Sequence, residues 1–362
     1  PIFREKLDRL EVLTAFPTSR NLVLLVGSTG TGKTTLQKKL CERINGNLKA
    51  TAQQAGQVAC VYVPLRPPKK GPFDFSVLHR EVLIGLGTPL VGKTRPIVQR
   101  AAGGISLPTL LVERDIASLR GEALETRFFR EIKFRKPRAV LLDEAKSIFK
   151  TAKPKNDDDR LEKLKNQADI VKGMASHTET TVVLGGAYDF FELSLSSGQN
   201  ARRSVIVHIE PYGSDPSGIQ GFVEGLTSLL CHLPANHAID PITATTELFL
   251  QGLGCIGIAA GILAEALCEA IVTNQPLTME LVRKYCYSRV ALDVMRTELN
   301  EGRRRVNAFL TLDDLMSTDP EPPAGKNVHP PSTPVDKTGT SGRPLKPGDT
   351  KPSHMAGVTS AW

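Results

Sequence analysis

The octapeptide "GSTGTGKT" (residues 27–34) lies between the short apolar run "NLVLLV" (21–26) and "TTLQKKLCERI", in which Leu36, Leu40 and Ile44 recur at helical spacing. Strand, glycine loop, helix: this order constrains the chain more than any other feature. It wraps consecutive backbone N–H groups around one small volume and points the positive end of a helix into it. Such a volume suits phosphate. The spacing G-x-x-x-x-G-K-T then assigns the parts, with Lys33 reaching the β and γ phosphates of ATP and the Thr34 hydroxyl holding Mg²⁺. The expected nucleotide contacts are Gly27, Ser28, Thr29, Gly30, Thr31, Gly32, Lys33, Thr34 and Thr35.

The same pattern returns within "GTPLVGKTRP" (87–96), where its context argues against it. The preceding "FSVLHREVLIGL" is an amphipathic helix rather than a strand. Pro89 removes one of the N–H donors a phosphate would need, and Pro96 disfavours helical geometry at Arg95, where the following helix should open. Residues 87–96 are therefore read as a helix-ending turn and basic loop, leaving a single nucleotide site.

Four further strand-like runs follow: "VACVYV" (58–63), "AVLLD" (139–143), "TTVVLGG" (180–186) and "SVIVHI" (204–209). Helix-periodic segments such as "EALETRFFREIKF" and "DRLEKLKNQADIVKGMA" lie between them. That alternation predicts an α/β fold with a five-stranded parallel sheet covered on both faces. The third strand ends in Asp143 and Glu144. Asp143 is placed to support Mg²⁺, and the adjacent carboxylate of Glu144 to polarise an attacking water, so ATP hydrolysis is expected beyond binding. Arg202 and Arg203, just before the last strand, carry planar guanidinium groups suited to charge developing on a transferring phosphoryl group. In a head-to-tail assembly one of them could enter a neighbour's site.

After "EPYGSDPSG" the composition changes, and from about residue 216 to 316 every element reads as helical. The expected organisation is an N-terminal helical segment (1–20), an α/β core (21–212), a helical lid domain (213–316) and a proline-rich tail (317–362). The tail is too poor in large apolar residues to offset its ordering entropy, and disorder is expected up to the terminal Trp362. The six cysteines form no C-x-x-C pair and no zinc-spaced cluster, which points to buried thiols in a reducing cytoplasm. "LGCIGIAAGILAEALCEAIV" (253–272) carries Glu265 and Glu269, so a buried helix is expected there instead of a membrane span. "KPKNDDDR" (153–160) reads as a solvated loop, not a metal site. A formal charge of +8 favours a polyanionic partner without identifying it.

In this order, the phosphate loop, the Asp-Glu strand, the late arginines and the helical appendage resemble an AAA+ ATPase, a P-loop NTPase core with a C-terminal helical lid. Finer resemblance points to the TnsC/TniB group of transposition regulators. It is carried by "VYVPLRPPKKGPFDFSVLHREVLIGLGTPL", "KPRAVLLDEAKSIF" and "GLGCIGIAAGILAEAL", the last similar to that family's G-x-I-G helix start. The resemblance implies an ATP-dependent ring or helical filament that wraps duplex DNA and recruits a transposase. Its target would be chosen with a TniQ-like partner, and whether an RNA-guided CRISPR effector complex supplies targeting is left open. Lys33, Thr34, Asp143 and Glu144 would bind and hydrolyse ATP, with Arg202 or Arg203 completing a neighbour's site.

Two departures stand out. Lys146 occupies a position where many relatives have histidine, and the fourth strand ends in Gly185, Gly186 and Ala187, where AAA+ proteins usually place a polar sensor. DNA inside such an assembly needs basic, inward-facing loops, and the candidates are Lys69 and Lys70 in "LRPPKKG" with Thr88, Lys93 and Arg95 in the second glycine turn. The rival readings are an AAA+ replication initiator or helicase loader, and a nucleotide-switched scaffold that does not touch DNA.

Overall fold

The five apolar runs pair side by side as parallel strands, β1 (Leu22–Gly27), β2 (Cys60–Pro64), β3 (Ala139–Asp143), β4 (Thr181–Gly186) and β5 (Ser204–Ile209), in the order β2-β3-β4-β1-β5. The computed structural model describes residues 2–15, 20–48, 57–87, 119–151, 153, 155–190, 204–233 and 239–310. Register places Leu22 opposite Val182 on one side and Ser204 on the other, while Ala139 pairs with Thr181. Because β4 lies between β3 and β1, the carboxyl ends carrying Asp143 and Gly27 flank Gly185 and Gly186. That geometry positions the site.

Alternate residues of β1 face opposite layers, as a strand's two-residue period requires. Leu22, Leu24 and Val26 join a core with α3 (Phe75–Gly85), α4 (Gly121–Arg135) and α5 (Asp157–Thr178). Val23 and Leu25 pack with α1 (Ile2–Ala15) and α2 (Lys33–Gly46). The sheet is thus buried on both faces, which is why its strands read as continuous apolar runs.

Beyond β5 the chain forms α6 (Pro216–Leu230), α7 (Pro241–Gly252), α8 (Ile256–Thr273), α9 (Met279–Arg283) and α10 (Arg289–Leu310). Asp215 and Asp240 cap α6 and α7, accepting from Gly218 N at 3.2 Å and Thr243 N at 2.9 Å, and each is followed by proline at the first helical turn. Helices α6 to α9 enclose a core of their own around Phe222, Leu248, Ile262 and Val282. By length and composition α8 is the one helix among the described residues that could cross a membrane. Its Ala259, Ile262, Leu263, Ala266 and Ala270 are buried in this helical core, and its Glu269 accepts from Tyr285 Oη at 2.6 Å.

The last helix, α10, returns to the α/β part. Val306 is buried in the sheet's core cluster, and Gly302 lies so close to the Tyr188 ring that a Cβ there would overlap it. The aspartates of "KPKNDDDR", read as a solvated loop, instead open α5. Asn156 caps the helix by accepting from Asp159 N at 2.8 Å, and the three acids complement the positive end of the helix dipole. Residues 317–362 lie outside the described residues, as do most of 87–96, although α3 does end at Gly85 before Gly87 adopts a left-handed φ of 64°.

His79 of α3 is buried at 9% exposure and stacked on Phe128, with ring centroids 4.4 Å apart. Burial pushes its pKa from the ordinary 6.5 down to about 4, against a weaker upward pull from Asp74. Between those values the unfolded chain binds the proton and the folded chain does not, so stability is full above pH 6.5 and is lost as pH falls toward 4. Urea unfolding across that range is expected to show a shallower decline for His79→Phe than for the wild-type chain. Identical slopes would contradict the burial of a neutral imidazole.

Candidate nucleotide site

The loop between β1 and α2 reverses on two left-handed glycines, Gly30 at φ 81° and Gly32 at φ 92°, conformations that a Cβ disfavours. Helix α2 then starts with Leu36 N donating to Gly32 O at 2.8 Å. Lys33 folds back over the loop, and its Nζ donates to Gly27 O at 2.8 Å and Ser28 O at 2.6 Å. Burial pushes its pKa below the ordinary lysine value, while Asp143 and Glu144 oppose that fall.

The Asp143 carboxylate, 4% exposed at the end of β3, collects four donors. Thr34 Oγ1 reaches Oδ2 at 2.7 Å and Tyr62 Oη reaches the same oxygen at 3.0 Å. Gln37 Nε2 reaches Oδ1 at 3.2 Å, and Glu144 N does so at 3.0 Å. Burial first, then the neighbouring carboxylate, pushes the Tyr62 phenol far above its usual pKa, so it stays a donor. A hydroxyl and a buried carboxylate already in contact are the hard oxygen donors that Mg²⁺ takes, and the residues present fit that ion.

Glu144 follows in a left-handed conformation, φ 54° and ψ 42°, which costs a non-glycine residue about 1 kcal/mol. The turn sends two consecutive acids to different places: Asp143 is buried, while Glu144 is exposed on a cavity of about 580 Å³ that it shares with Ser28, Thr29, Lys146, Asp189 and Arg305. Lys146 pairs with Asp189 at the cavity wall. The cavity leaves room for a small molecule beside the Glu144 carboxylate.

The helical part meets the phosphate loop directly. Gly257 N, in the first turn of α8, donates to Gly30 O at 2.9 Å. A Cβ at Gly30 would lie 2.6 Å from Ile258 Cγ1, and one at Gly257 would lie 2.6 Å from Gly30 O, so both positions require glycine for this approach. Ser28 Oγ and Cys255 Sγ are 3.2 Å apart. On the other side of the loop a cavity of about 430 Å³ is walled by Ile2, Phe3, Gly32, Thr35, Tyr212 and Ile256. Two aromatic rings and aliphatic walls beside the first turn of α2 can accept a planar base.

The structure therefore brings together the loop residues 27–35, Asp143 and Glu144. Arg202 and Arg203 lie outside the described residues, as do Thr88, Lys93 and Arg95. Lys69 and Lys70 are exposed on the loop after the edge strand β2, which is held by Phe73 N donating to Lys150 O at 2.9 Å and Lys150 Nζ donating to Pro68 O at 3.1 Å. Neither lysine walls the two cavities. Sequence reasoning missed Tyr62, Gln37, Phe3 and Tyr212. Only Gln37 left a signal, as a polar residue one turn after Thr34 on the face of α2 that should be apolar.

Residues 17–193 match the family profile of an AAA domain. That stretch is similar to an AAA domain. The chain's five-stranded parallel sheet is the P-loop NTPase fold, and nucleotide binding is the property such a domain implies. A search of curated proteins finds no match. Among solved structures, the chain is similar to a Walker-type ATPase of Pyrococcus abyssi at 17% identity and a TM-score of 0.46, over 84% of this chain and 76% of that one. It is also similar to the Aeropyrum pernix ORC1 protein, solved in complex with DNA, at 18% identity and a TM-score of 0.46, over 82% of this chain and 65% of that one. Neither likeness bears on what this AAA domain binds.

The left-handed backbone at Glu144 makes a stability prediction independent of chemistry. Glu144→Gly is expected to unfold at a higher denaturant midpoint than Glu144→Ala, corresponding to about 1 kcal/mol of added stability, because only glycine relieves the strain. Equal midpoints would contradict the strained turn.

Proposed function

We propose that this chain is a Mg²⁺-dependent ATPase that assembles head to tail on duplex DNA in its ATP state, acts as a regulator of DNA transposition in the cytoplasm, and leaves the DNA after hydrolysis. The observation that carries the catalytic half is the Thr34 hydroxyl 2.7 Å from the Asp143 carboxylate, with Glu144 next in the chain on the cavity that Ser28 and Thr29 wall. Thr34 and Asp143 would hold Mg²⁺, which when bound supplies positive charge to the phosphate oxygens. Lys33 exchanges its two loop carbonyls for phosphate oxygens, so that its ammonium meets anionic acceptors in place of neutral ones. Glu144 takes the proton of the attacking water. Phe3 of α1 and Tyr212 would hold the adenine, with Ile256 of α8 on the same cavity wall bringing the lid to the nucleotide.

The assembly half rests on the ordered resemblance of the phosphate loop, the Asp-Glu strand and the α8 start to the TnsC/TniB regulators. Arg202 or Arg203 would complete the neighbour's site. Lys69 and Lys70, with Thr88, Lys93 and Arg95, would meet DNA phosphates without reading bases. The partners proposed are a transposase and a TniQ-like target selector, or a CRISPR effector complex in that selector's place.

Two sets of variants test this reading. Lys33→Ala is expected to abolish ATP-dependent assembly in electron micrographs with duplex DNA, whereas Glu144→Gln keeps assembly and loses turnover by about a hundredfold or more; normal filaments and normal hydrolysis in both would refute the site. Reversing Lys69 and Lys70 to Glu is expected to remove ATP-dependent duplex binding, measured by fluorescence anisotropy against salt. Unaltered affinity and salt slope would exclude that loop from the DNA surface.

A further inference from the structure

Strand β4 ends without the polar side chain expected of it, and the space this leaves is not empty. A Cβ at Gly185 would overlap the amide nitrogen of Gln37 and lie 3.2 Å from Asp143 Oδ1. Gln37 comes from α2, one helical turn beyond Thr34, and is fully buried between the ends of β3 and β4. Its Nε2 donates to Asp143 Oδ1. Its Oε1 is buried and has no hydrogen-bond partner among the described residues. Turning the amide over would set two acceptor oxygens against each other, so Asp143 fixes the nitrogen's place and leaves the oxygen as the orphan.

Two considerations separate this arrangement from ordinary packing. Asp143 has no need of Gln37, since Oδ1 already accepts from Glu144 N and Oδ2 from Thr34 and Tyr62. A buried carbonyl left unpaired costs about 1–3 kcal/mol, and leucine would fill similar volume without that cost. The glutamine is therefore kept at the expense of stability, beside the hydroxyl–carboxylate pair suited to a hard cation. Such cations keep several bound waters, which are strong donors seeking acceptors.

We propose that Gln37 is a positioning residue of the ATPase site: its amide nitrogen orients Asp143, and its carbonyl oxygen accepts from a water that enters with Mg²⁺ and nucleotide, a task moved from the end of β4 to α2. The inference rests on the ATPase reading above and deepens it. Gly185 is its necessary complement, because any side chain at that position would displace the amide. A polar group can occupy this corner from the strand or from the helix, and not from both.

The experiment uses the full chain and compares wild type, Gln37→Leu, Gly185→Asn and the double variant Gln37→Ala with Gly185→Asn. Three quantities are measured: melting without ligand, fluorescent ATP-analogue binding as a function of Mg²⁺, and ATP turnover. Gln37→Leu is expected to melt no lower than wild type without ligand, yet to need about tenfold more Mg²⁺ for half-maximal nucleotide binding, with kcat reduced about tenfold or more and little change in KM. Gly185→Asn alone is expected to destabilise the chain by overlap, and the double variant to recover much of the Mg²⁺ response. A Gln37→Leu chain that is less stable but unchanged in Mg²⁺ requirement and kcat would reduce Gln37 to packing and overturn the inference. Should wild type itself bind no nucleotide, the ATPase reading fails and takes this inference with it, an outcome plainly distinct from the previous one.

Discussion

One carboxylate organises the functional end of this sheet. Asp143 is buried at the tip of β3 and accepts from side chains on α2 and β2 and from the backbone of the next residue. A buried charge without partners is costly enough to unfold a marginal domain, so the bonds from Thr34, Tyr62 and the Glu144 backbone are conditions of the fold as well as features of the site. They also lock the geometry. Thr34 can meet Asp143 only if α2 begins where the glycine loop releases it, and Tyr62 only if β2 lies beside β3 in its observed register. The glycine loop, the Thr34–Asp143 pair and the β2–β3 register meet at the same group.

The loop that this carboxylate fixes is also the place where the helical part touches the core. Gly30 O accepts from the first turn of α8 at a separation that tolerates no Cβ on either glycine. An apolar cavity with Phe3 on one wall and Tyr212 on another lies beside that contact. A ligand occupying it would touch α1, the start of α2 and the helical part together. The contact there is packed backbone against packed backbone, and α8 carries no arginine.

Much of this was legible beforehand, and the reason is local. All five strands announced themselves as apolar runs: 139–143 and 204–209 fall on the observed strands, and 58–63 overlaps Cys60–Pro64. The rejection of residues 87–94 as a phosphate site rested on a preceding helix, and α3 is there. Asp157 to Asp159 were misread because an acidic cluster after Lys-Pro-Lys-Asn looks like a loop, although Asn followed by three acids is equally a helix start. Periodicity says which face of an element is apolar and nothing about which distant element meets it. Gln37, Tyr62 and Phe3 act through contacts spanning many residues of chain, and the order β2-β3-β4-β1-β5 that creates those contacts is invisible to local pattern. Arg202, Arg203, Thr88, Lys93 and Arg95 lie outside the described residues, so their roles remain those assigned from sequence.

The function proposed for this chain requires one triphosphate pocket, built on Lys33, Thr34 and Asp143. Calorimetric titration of ATP into the purified protein, with and without Mg²⁺, tests that claim directly. It predicts saturable binding at one equivalent per chain, tightened by Mg²⁺. Two equivalents would restore the second glycine loop as a site, and the absence of binding in either condition would contradict the pocket itself.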